Sequence, residues 1–229
     1  MEKKRRLHIF DYGSLFDGLV RDEKHILMLS EIDREYEKGK IIYKEGDKPS
    51  ELFCLIEGKV KIYKEGMDRR QVVRLVKKGD FFGYRPYFVK ENYTLTAVAM
   101  TDVVVRVVKL NIVKKIIAGN PAIGLNFVRD LSVRLGVIDR RLVSLTQKHT
   151  RGRMADALLM IMETYGREMS TGCLCCMLTR EEIANYANMT TANAIRTLAS
   201  FNEEGVIVLI GKKIIIKNEQ QLRRISALG

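Results

Sequence analysis

The side chain that most clearly offers chemistry is a lone arginine, Arg196, within a run of small and polar residues, TTANAIRTLAS. If this run is a helix, a rotation of 100° per residue places Arg196 on one side with Ala192 and Ala199. The opposite side is apolar and would pack inside; it carries Ala194, Leu198 and Phe201. Methyl-sized neighbours would let such a helix enter a DNA major groove, where a guanidinium donates two hydrogen bonds to guanine, worth about 1–3 kcal/mol of discrimination. A solvated arginine on an ordinary helix is the alternative, so the surrounding elements must decide.

Two short helices separated by a tight turn are predicted around this arginine. Thr179 and Glu182 have the spacing of a capping box, which predicts the start of the first helix. Residues 187–189 make the turn, and a second helix follows, ending at about Glu204 before Gly205. The segment VIVLIGKKIIIK then predicts a two-stranded wing. These elements predict a winged helix-turn-helix, a DNA-binding unit. Its predicted DNA contacts are Thr179, Thr190, Thr191, Ala192, Asn193, Arg196, Ser200, Lys212 and Lys213.

The composition favours an anionic partner. The 229 residues include 40 Lys and Arg against 28 Asp and Glu, a net charge of +12. Nucleic acid fits this charge better than a membrane surface, because no basic amphipathic anchor is visible. No apolar run reaches the roughly 18 residues that a membrane span needs, and the start, MEKKRRLHIFDYG, lacks the core of a signal peptide. Four unevenly spaced cysteines do not suggest disulfides. We therefore expect a globular cytoplasmic protein without membrane contact.

The rest of the chain has two patterns. From about Arg34 to Val108, short β-branched runs separated by glycine turns predict an all-β sandwich or barrel-like roll. After Pro121 the apolar residues recur at steps of three and four, which predicts a long helix. Its seam favours a partner helix, although a helix lying on its own domain's core is the alternative. The seam residues are Val128, Leu131, Leu135, Ile138, Leu142 and Leu145.

The predicted fold class is α+β, in three parts. Residues 1–120 form the β-roll, residues 121–147 form the dimerisation helix, and residues 148–229 form the winged helix-turn-helix. The polar segment from Gln147 to Gly152 would act as the hinge between the last two parts.

This order of parts resembles the Crp/Fnr family of bacterial transcription regulators, along nearly the whole chain. GDFFG at Gly79–Gly83 resembles the family's turn before its phosphate-binding segment, and NPAIGLNFVRDLSVRL resembles the start of its dimer helix. LTREEIANYANMTTANAIRTL resembles its DNA-reading motif. The resemblance implies a β-roll sensor of the cyclic-nucleotide-binding type, a homodimer, a palindromic site on double-stranded DNA and RNA polymerase as a partner.

The family's base-reading positions fall on Thr191, Ala192 and Arg196, and only the arginine agrees with the common pattern. We therefore expect a different operator. Asn193 is the substitute reader, because an asparagine can pair an adenine edge with two hydrogen bonds.

The effector pocket that the resemblance implies departs further. The family's cyclic-nucleotide members hold the ribose with a glutamate and the phosphate with an arginine, and Tyr84 and Thr94 occupy these positions here. Cyclic AMP is therefore not expected, and the small-molecule effector is unknown. Arg85 could supply an anion site from a neighbouring position, or it is a surface ion-pair partner. The candidate pocket residues are Gly83, Tyr84, Arg85, Tyr93, Thr94, Arg134, Ile138 and Asp139.

Cofactor expectations follow from the cysteines, histidines and aromatic residues. The family's oxygen sensors carry an iron-sulfur cluster on N-terminal cysteines, and no cysteine precedes Cys54, so no such cluster is expected. Cys173, Cys175 and Cys176 are either a redox or metal sensor or plain strand residues, and we assign no metal site. The aromatic residues Tyr84, Tyr87, Phe88 and Tyr93 would suit a planar ligand such as haem. Candidate axial ligands are His8, His25 and His149.

Two classes of function remain. The first is a homodimeric, sequence-specific DNA-binding transcription regulator that is controlled by a small ligand in the β-roll. The second is a nucleotide-binding module that does not read DNA, or the regulatory subunit of an enzyme. The sequence contains no Walker loop, GxSxG or HExxH motif, so we expect no enzymatic activity.

Overall fold

The computed structural model describes residues 7–67 and 69–229. Residues 1–6, the basic start on which the expectation of no signal peptide partly rests, lie outside the described residues. The described residues form two compact units: residues 7–64 with 76–135, and residues 65–75 with 136–229.

Eight strands form the predicted β-roll: β1 (Ile32–Tyr36), β2 (Ile41–Tyr43), β3 (Glu51–Glu57), β4 (Val60–Glu65), β5 (Arg70–Val76), β6 (Phe81–Phe82), β7 (Thr96–Ala99) and β8 (Val103–Lys109). They lie in two four-stranded sheets of order β1-β8-β3-β6 and β2-β7-β4-β5. β1 pairs antiparallel with β8, from Ile32 opposite Val107 to Tyr36 opposite Val103. The β-branched residues of these runs therefore form strands, as the sequence predicts.

Two clusters of buried apolar side chains form the core of the first unit. One is rich in aromatic rings and includes Tyr43, Phe53 and Phe82. Gly83 borders this cluster with φ +85°, and a Cβ atom there would lie 2.5 Å from the ring of Phe53. Only glycine fits this close turn. The second cluster includes Ile9, Leu27, Leu110, Ile123 and Phe127.

Four helices accompany these strands: α1 (Arg21–Ser30), α2 (Arg85–Phe88), α3 (Leu110–Gly119) and α4 (Pro121–Gln147). α4 begins with proline at its first position, where the missing N–H leaves no hydrogen bond unmade. It is 27 residues long and spans the helix that the apolar periodicity predicts.

The C-terminal part contains α5 (Thr150–Tyr165), α6 (Arg180–Tyr186), α7 (Thr191–Glu203), β9 (Ile207–Ile210), β10 (Lys213–Ile216) and α8 (Glu219–Leu228). The Thr179 hydroxyl accepts a hydrogen bond from the Glu182 backbone at the start of α6, and Thr190 caps α7 in the same way. β9 and β10 form the antiparallel hairpin of the wing. The winged helix-turn-helix is therefore confirmed, and α8 is an additional helix that the sequence analysis did not predict.

The hinge is shorter than the predicted segment from Gln147 to Gly152. α4 ends at Gln147 and α5 begins at Thr150, so only Lys148 and His149 lie between the two helices. Gly152 is helical, and a Cβ atom on it would lie 2.6 Å from the backbone of Gly229. The absence of a side chain at Gly152 allows this close approach, and the residue does not break the helix. Within the described residues, no helix has both the length and the apolar character of a membrane span.

Candidate DNA-binding surface and sensor interior

α7 presents the two faces that the sequence predicts. Ala194, Leu198 and Phe201 are fully buried, whereas the face that carries Ala192 and Arg196 is exposed. Thr190 and Thr191 are also exposed, at the start of the helix. The small side chains around the arginine leave the helix backbone accessible, as close approach to base edges requires.

The two polar readers, Arg196 and Asn193, are bonded to each other. Arg196 Nη2 donates to Asn193 Oδ1 across 2.6 Å, one turn apart on the helix. A guanidinium has five N–H donors, so this contact leaves most of them available for an acceptor on DNA. The bond orients Arg196 along the exposed face before DNA arrives. It also uses one of the two lone pairs of the amide oxygen with which Asn193 would read adenine.

Ser200, a predicted base reader, is already hydrogen-bonded to two side chains of the protein. Its hydroxyl donates to Glu204 Oε1 at 2.7 Å and accepts from Arg151 Nη1 at 2.8 Å. Arg151 also forms an ion pair with Glu204 and lies 4.8 Å from the ring centroid of Phe201. The hydrogen bond from Arg151 lowers the pKa of the Glu204 carboxyl. Ser200 therefore links α7 to α5, a role that helical spacing alone cannot indicate.

The wing and the start of α6 offer cations for phosphate groups. Lys212 and Lys213 are exposed at the hairpin tip, as predicted. Arg180 Nη2 donates to the carbonyl of Gly211 at 2.9 Å, and burial lowers the pKa of this arginine. Its Nη1 atom is buried without a hydrogen-bond partner among the described residues. Arg180 was missed by the sequence analysis, although its place directly after the Thr179 cap was a usable signal.

Aromatic side chains fill the interior of the β-roll beside the glycine turn. Tyr93 stacks on Tyr43 with ring centroids 3.9 Å apart, and its hydroxyl donates to the Gly83 carbonyl at 2.9 Å. Burial raises the pKa of Tyr93 above its ordinary value. Phe53 and Phe82 complete this cluster. The phenol of Tyr93 is thus already hydrogen-bonded within the protein.

Tyr84 is part of a second closed network. It is 2% exposed, and its hydroxyl donates a hydrogen bond to Asp130 on α4. Arg134 donates to both oxygens of that carboxylate and to the Phe81 carbonyl. Burial, and then the hydrogen bond to Asp130, raise the pKa of Tyr84 above its ordinary value. Tyr84 is therefore a core residue whose hydroxyl already has a hydrogen-bond partner. That partner, Asp130, was missed by the sequence analysis.

The other predicted pocket residues are divided. Arg85 and Thr94 are exposed, and Arg85 Nη2 donates to the Thr94 hydroxyl at 3.1 Å. Among the described residues this hydrogen bond takes the place of the surface ion pair, and the anion site at Arg85 stays a prediction. Ile138 and Asp139 are exposed and belong to the second unit.

The predicted seam of α4 is largely uncovered. Val128, Leu135, Ile138 and Leu142 are each more than half exposed. Leu131 packs partly against the core of the first unit, and Leu145 is half-buried. A row of large aliphatic side chains in this state is a surface that a partner can bury.

The cysteines and histidines show no common centre. Within the described ranges, no group of three or more His, Cys, Asp or Glu side chains could hold a metal ion. Cys173 and Cys176 are buried and Cys175 is exposed, and Cys173 pairs through its backbone with Ile215 of the wing. Among the candidate haem ligands, His8 bonds through Nδ1 to Glu31 at 2.6 Å.

Comparisons with known proteins agree with this architecture. The model of the cyclic nucleotide-binding domain matches residues 33–120, and the model of the Crp-like helix-turn-helix domain matches residues 152–225. Together they cover more than half of the chain.

Relatives of known role match along most of the chain. A CRP-like cAMP-activated global transcriptional regulator of Mycobacterium tuberculosis is 28% identical over 193 residues, which cover 83% of this chain and 86% of the relative. The anaerobic regulatory protein of Bacillus subtilis is 27% identical over 211 residues, covering 90% and 89%. The structure of FixK2 from Bradyrhizobium japonicum has the same fold, with a TM-score of 0.77 at 23% identity over 85% of this chain and 96% of that one. The chain therefore belongs to the Crp/Fnr family of DNA-binding transcription regulators.

Proposed function

We propose that the protein is a homodimeric regulator that reads a palindromic operator through two copies of α7. The observation that carries this proposal is the Arg196 and Asn193 pair on an exposed, small-residue face of α7, whose opposite face is buried. The guanidinium donors that Asn193 does not use can reach guanine N7 and O6. Arg180, Lys212 and Lys213 supply charge for phosphates, which fix the position of the helix without carrying sequence information.

The dimer is proposed to form along α4. The exposed aliphatic seam gives each copy the same surface, and a two-fold axis brings identical surfaces together. Burial of apolar area at about 25 cal/mol per Å² favours this association. The two-fold symmetry of the dimer then predicts the symmetry of the operator.

We further propose that the β-roll does not respond to cyclic AMP. Tyr84 and Tyr93 occupy the region beside the glycine turn, and both hydroxyls are bonded to protein acceptors. Arg134, a partly buried cation of this region, already forms an ion pair with Asp130. A cyclic phosphate would have to displace these contacts or rely on exposed Arg85. The cyclic AMP activation in the name of the mycobacterial relative is therefore not carried over to this chain.

The alternative, a nucleotide-binding module that does not read DNA, gives no reason for the exposed face of α7. A regulator of the proposed kind would act on the chromosome in the cytoplasm, with RNA polymerase as its partner and no enzymatic activity of its own. Haem remains a ligand to test by absorption after titration with haemin, and we propose no axial ligand.

Selection from a random DNA pool tests the proposal. The purified protein should enrich a palindrome whose half-sites lie about one helical turn, roughly 34 Å, apart. Arg196→Ala is the matched control and should enrich no guanine at the position that the wild type reads. A wild-type pool without any enriched sequence would contradict the proposed function.

A further inference from the structure

Four consecutive backbone carbonyls at the C-terminal end of α6 and in the turn after it are bonded to side chains from elsewhere in the second unit. The last carbonyls of a helix have no partner within the helix and form the negative end of its dipole. Here they receive donors from three side chains, Gln71, Arg141 and Arg153, which we call the carbonyl cap. The capped carbonyls belong to Asn185, Tyr186, Ala187 and Asn188.

Arg141 is the centre of this cap. Its Nη2 donates to the Tyr186 carbonyl at 2.9 Å, and its guanidinium carbon lies 4.2 Å from the centroid of the Tyr186 ring. The same guanidinium donates to the carbonyls of Val72 and, at 2.6 Å, Val73 on β5. All of its described hydrogen bonds go to neutral carbonyls, and burial lowers the pKa of Arg141. One side chain of α4 therefore joins two segments that are far apart in sequence.

Residues 65–75 contact the same turn independently. Gln71 Nε2 donates to the Asn185 carbonyl at 3.0 Å, and Arg69 Nη2 donates to Asn188 Oδ1 at 2.8 Å. The chain enters this segment from Lys64 and leaves it at Val76, and both of these residues belong to the first unit. Residues 65–75 therefore lie between two stretches of the first unit in sequence, but they belong to the second unit, which contains the helix-turn-helix.

The capped turn determines where α7 begins. Asn188 has φ +52°, a left-handed conformation that asparagine adopts more readily than most other residues with a side chain, and Met189 is buried after it. Thr190 then caps α7. The reading face, with Thr191 and Arg196, stays exposed while the cap is formed. The capped turn is therefore compatible with DNA binding and does not block it.

We propose that Arg141 is a positioning residue for operator binding: by bonding residues 65–75 and the α6 turn at once, it fixes the direction in which α7 leaves the turn. This inference rests on the proposed function. It makes Arg141 the point at which a change in β5 or in α4 reaches the recognition helix. A two-segment contact of this kind is a coupling element only if both segments respond when it is broken.

The first test needs no DNA, so it is independent of the proposed function. Hydrogen–deuterium exchange is compared between the full-length wild type and Arg141→Met, which keeps a long side chain and removes the donors. We expect faster exchange in residues 69–75 and in residues 186–190 together. Arg140→Met is the matched control, because Arg140 is exposed, adjacent and absent from the cap, and it should change neither segment. Unchanged exchange in either segment of Arg141→Met would overturn the proposal.

The second test measures operator affinity by fluorescence anisotropy well below the melting temperature. Arg141→Met should weaken binding about tenfold or more, because hydrogen bonds to a charged group are the stronger ones in proteins. Arg141→Lys should recover part of this loss, since an ammonium group has three donors but no planar fork. Gln71→Ala, combined with Arg141→Met, should lose less than the two single losses added, because both residues act on one turn.

The outcomes separate the two proposals. Faster exchange in both segments of Arg141→Met, together with a wild type that binds no operator, would support the carbonyl cap and contradict the proposed function. Wild-type operator binding that Arg141→Met leaves unchanged would overturn the positioning role. If Arg141→Met does not fold, Arg141→Lys and Gln71→Ala carry the same comparison, and normal exchange and affinity in both would also overturn it.

Discussion

The exposed face of α7 and the interior of the β-roll use polar side chains in opposite ways. On α7, Arg196 makes one described side-chain bond, to Asn193, and keeps further donors facing outward. In the first unit, the hydroxyls of Tyr84 and Tyr93 and the carboxylate of Asp130 are already hydrogen-bonded to partners within the protein. A surface that is built to bind retains unused donors, whereas an interior whose polar atoms are paired resists a polar ligand. We therefore propose that the chain keeps a DNA-reading helix and differs from the family's cyclic-nucleotide members in the interior where they hold their ligand.

The largest effect should come from the α4 seam, because both copies of the reading surface depend on it. Leu142→Asp places a charge on the exposed aliphatic row of each copy, so we expect a dimer to become a monomer and to lose high-affinity operator binding. Analytical ultracentrifugation measures the state. Arg140→Asp, on the opposite side of the helix, is the control and should remain a dimer. A wild type that is already monomeric at micromolar concentration would contradict the proposal that the α4 seam forms a dimer interface.

The second-largest effect should be the loss of sequence discrimination when Arg196 is removed. Arg196→Ala should remove about 1–3 kcal/mol of discrimination at one guanine in each half-site. The measurement is a double-mutant cycle that compares wild type and variant on the selected operator and on an operator with that guanine replaced. The variant should bind both DNAs alike. Equal losses on operator and random DNA would instead assign Arg196 to a phosphate contact.

A smaller effect is expected from opening the network inside the β-roll. Tyr84→Phe removes the phenol that donates to Asp130 and should lower the free energy of unfolding by about 1–2 kcal/mol. The folded state holds the pKa of Tyr84 above its usual value of about 10, so an unfolded chain loses this proton first and wild-type stability falls as the pH rises above about 10. Chemical denaturation at pH 7 and above pH 10 should show a weaker fall in the variant.

Tyr87→Phe is the matched control, because it removes a half-buried phenol of the neighbouring helix α2. It should leave the stability at pH 7 nearly unchanged. Equal effects of the two substitutions would mean that Tyr84 is an ordinary core phenol without a special partner.

The smallest effect should come from the wing. Lys212→Ala and Lys213→Ala should weaken binding to operator and to random DNA by the same factor, since phosphate contacts carry no base information. Each lost contact should reduce the slope of log K against log salt by about 0.9. Lys38→Ala, a change of the same charge in the first unit, should leave the slope unaltered. A change in base preference would show that the lysines contact base edges and not only phosphates.

The sequence predicted features that have a local signal. The capping pattern of Thr179 and Glu182 and the left-handed stop at Gly205 lie within a few residues of the structure they create. The wing and the two faces of α7 were predicted for the same reason. The composition of the segment from Gln147 to Gly152 misled the prediction of the hinge, because the glycine serves a close contact inside the first turn of α5 and does not break the helix.

Features that depend on distant residues were not predictable in this way. Asp130 meets Tyr84 across 46 residues, and Arg141 meets Val72 across 69. Neither carboxylate nor guanidinium differs in local pattern from a solvated charge on a helix. Ser200 has the spacing of a base reader, but its bond to Arg151 is formed only when α5 packs against α7.

We propose that α7 reads DNA and that the interior of the first unit does not bind cyclic AMP. One titration tests both halves: operator affinity of the wild-type protein is measured by fluorescence anisotropy at rising cyclic AMP concentrations, up to millimolar. We predict specific, salt-dependent operator binding that is the same at every concentration of cyclic AMP. A gain in operator affinity at micromolar cyclic AMP would contradict the account of the interior, and the absence of specific binding at any concentration would contradict the account of the reading surface.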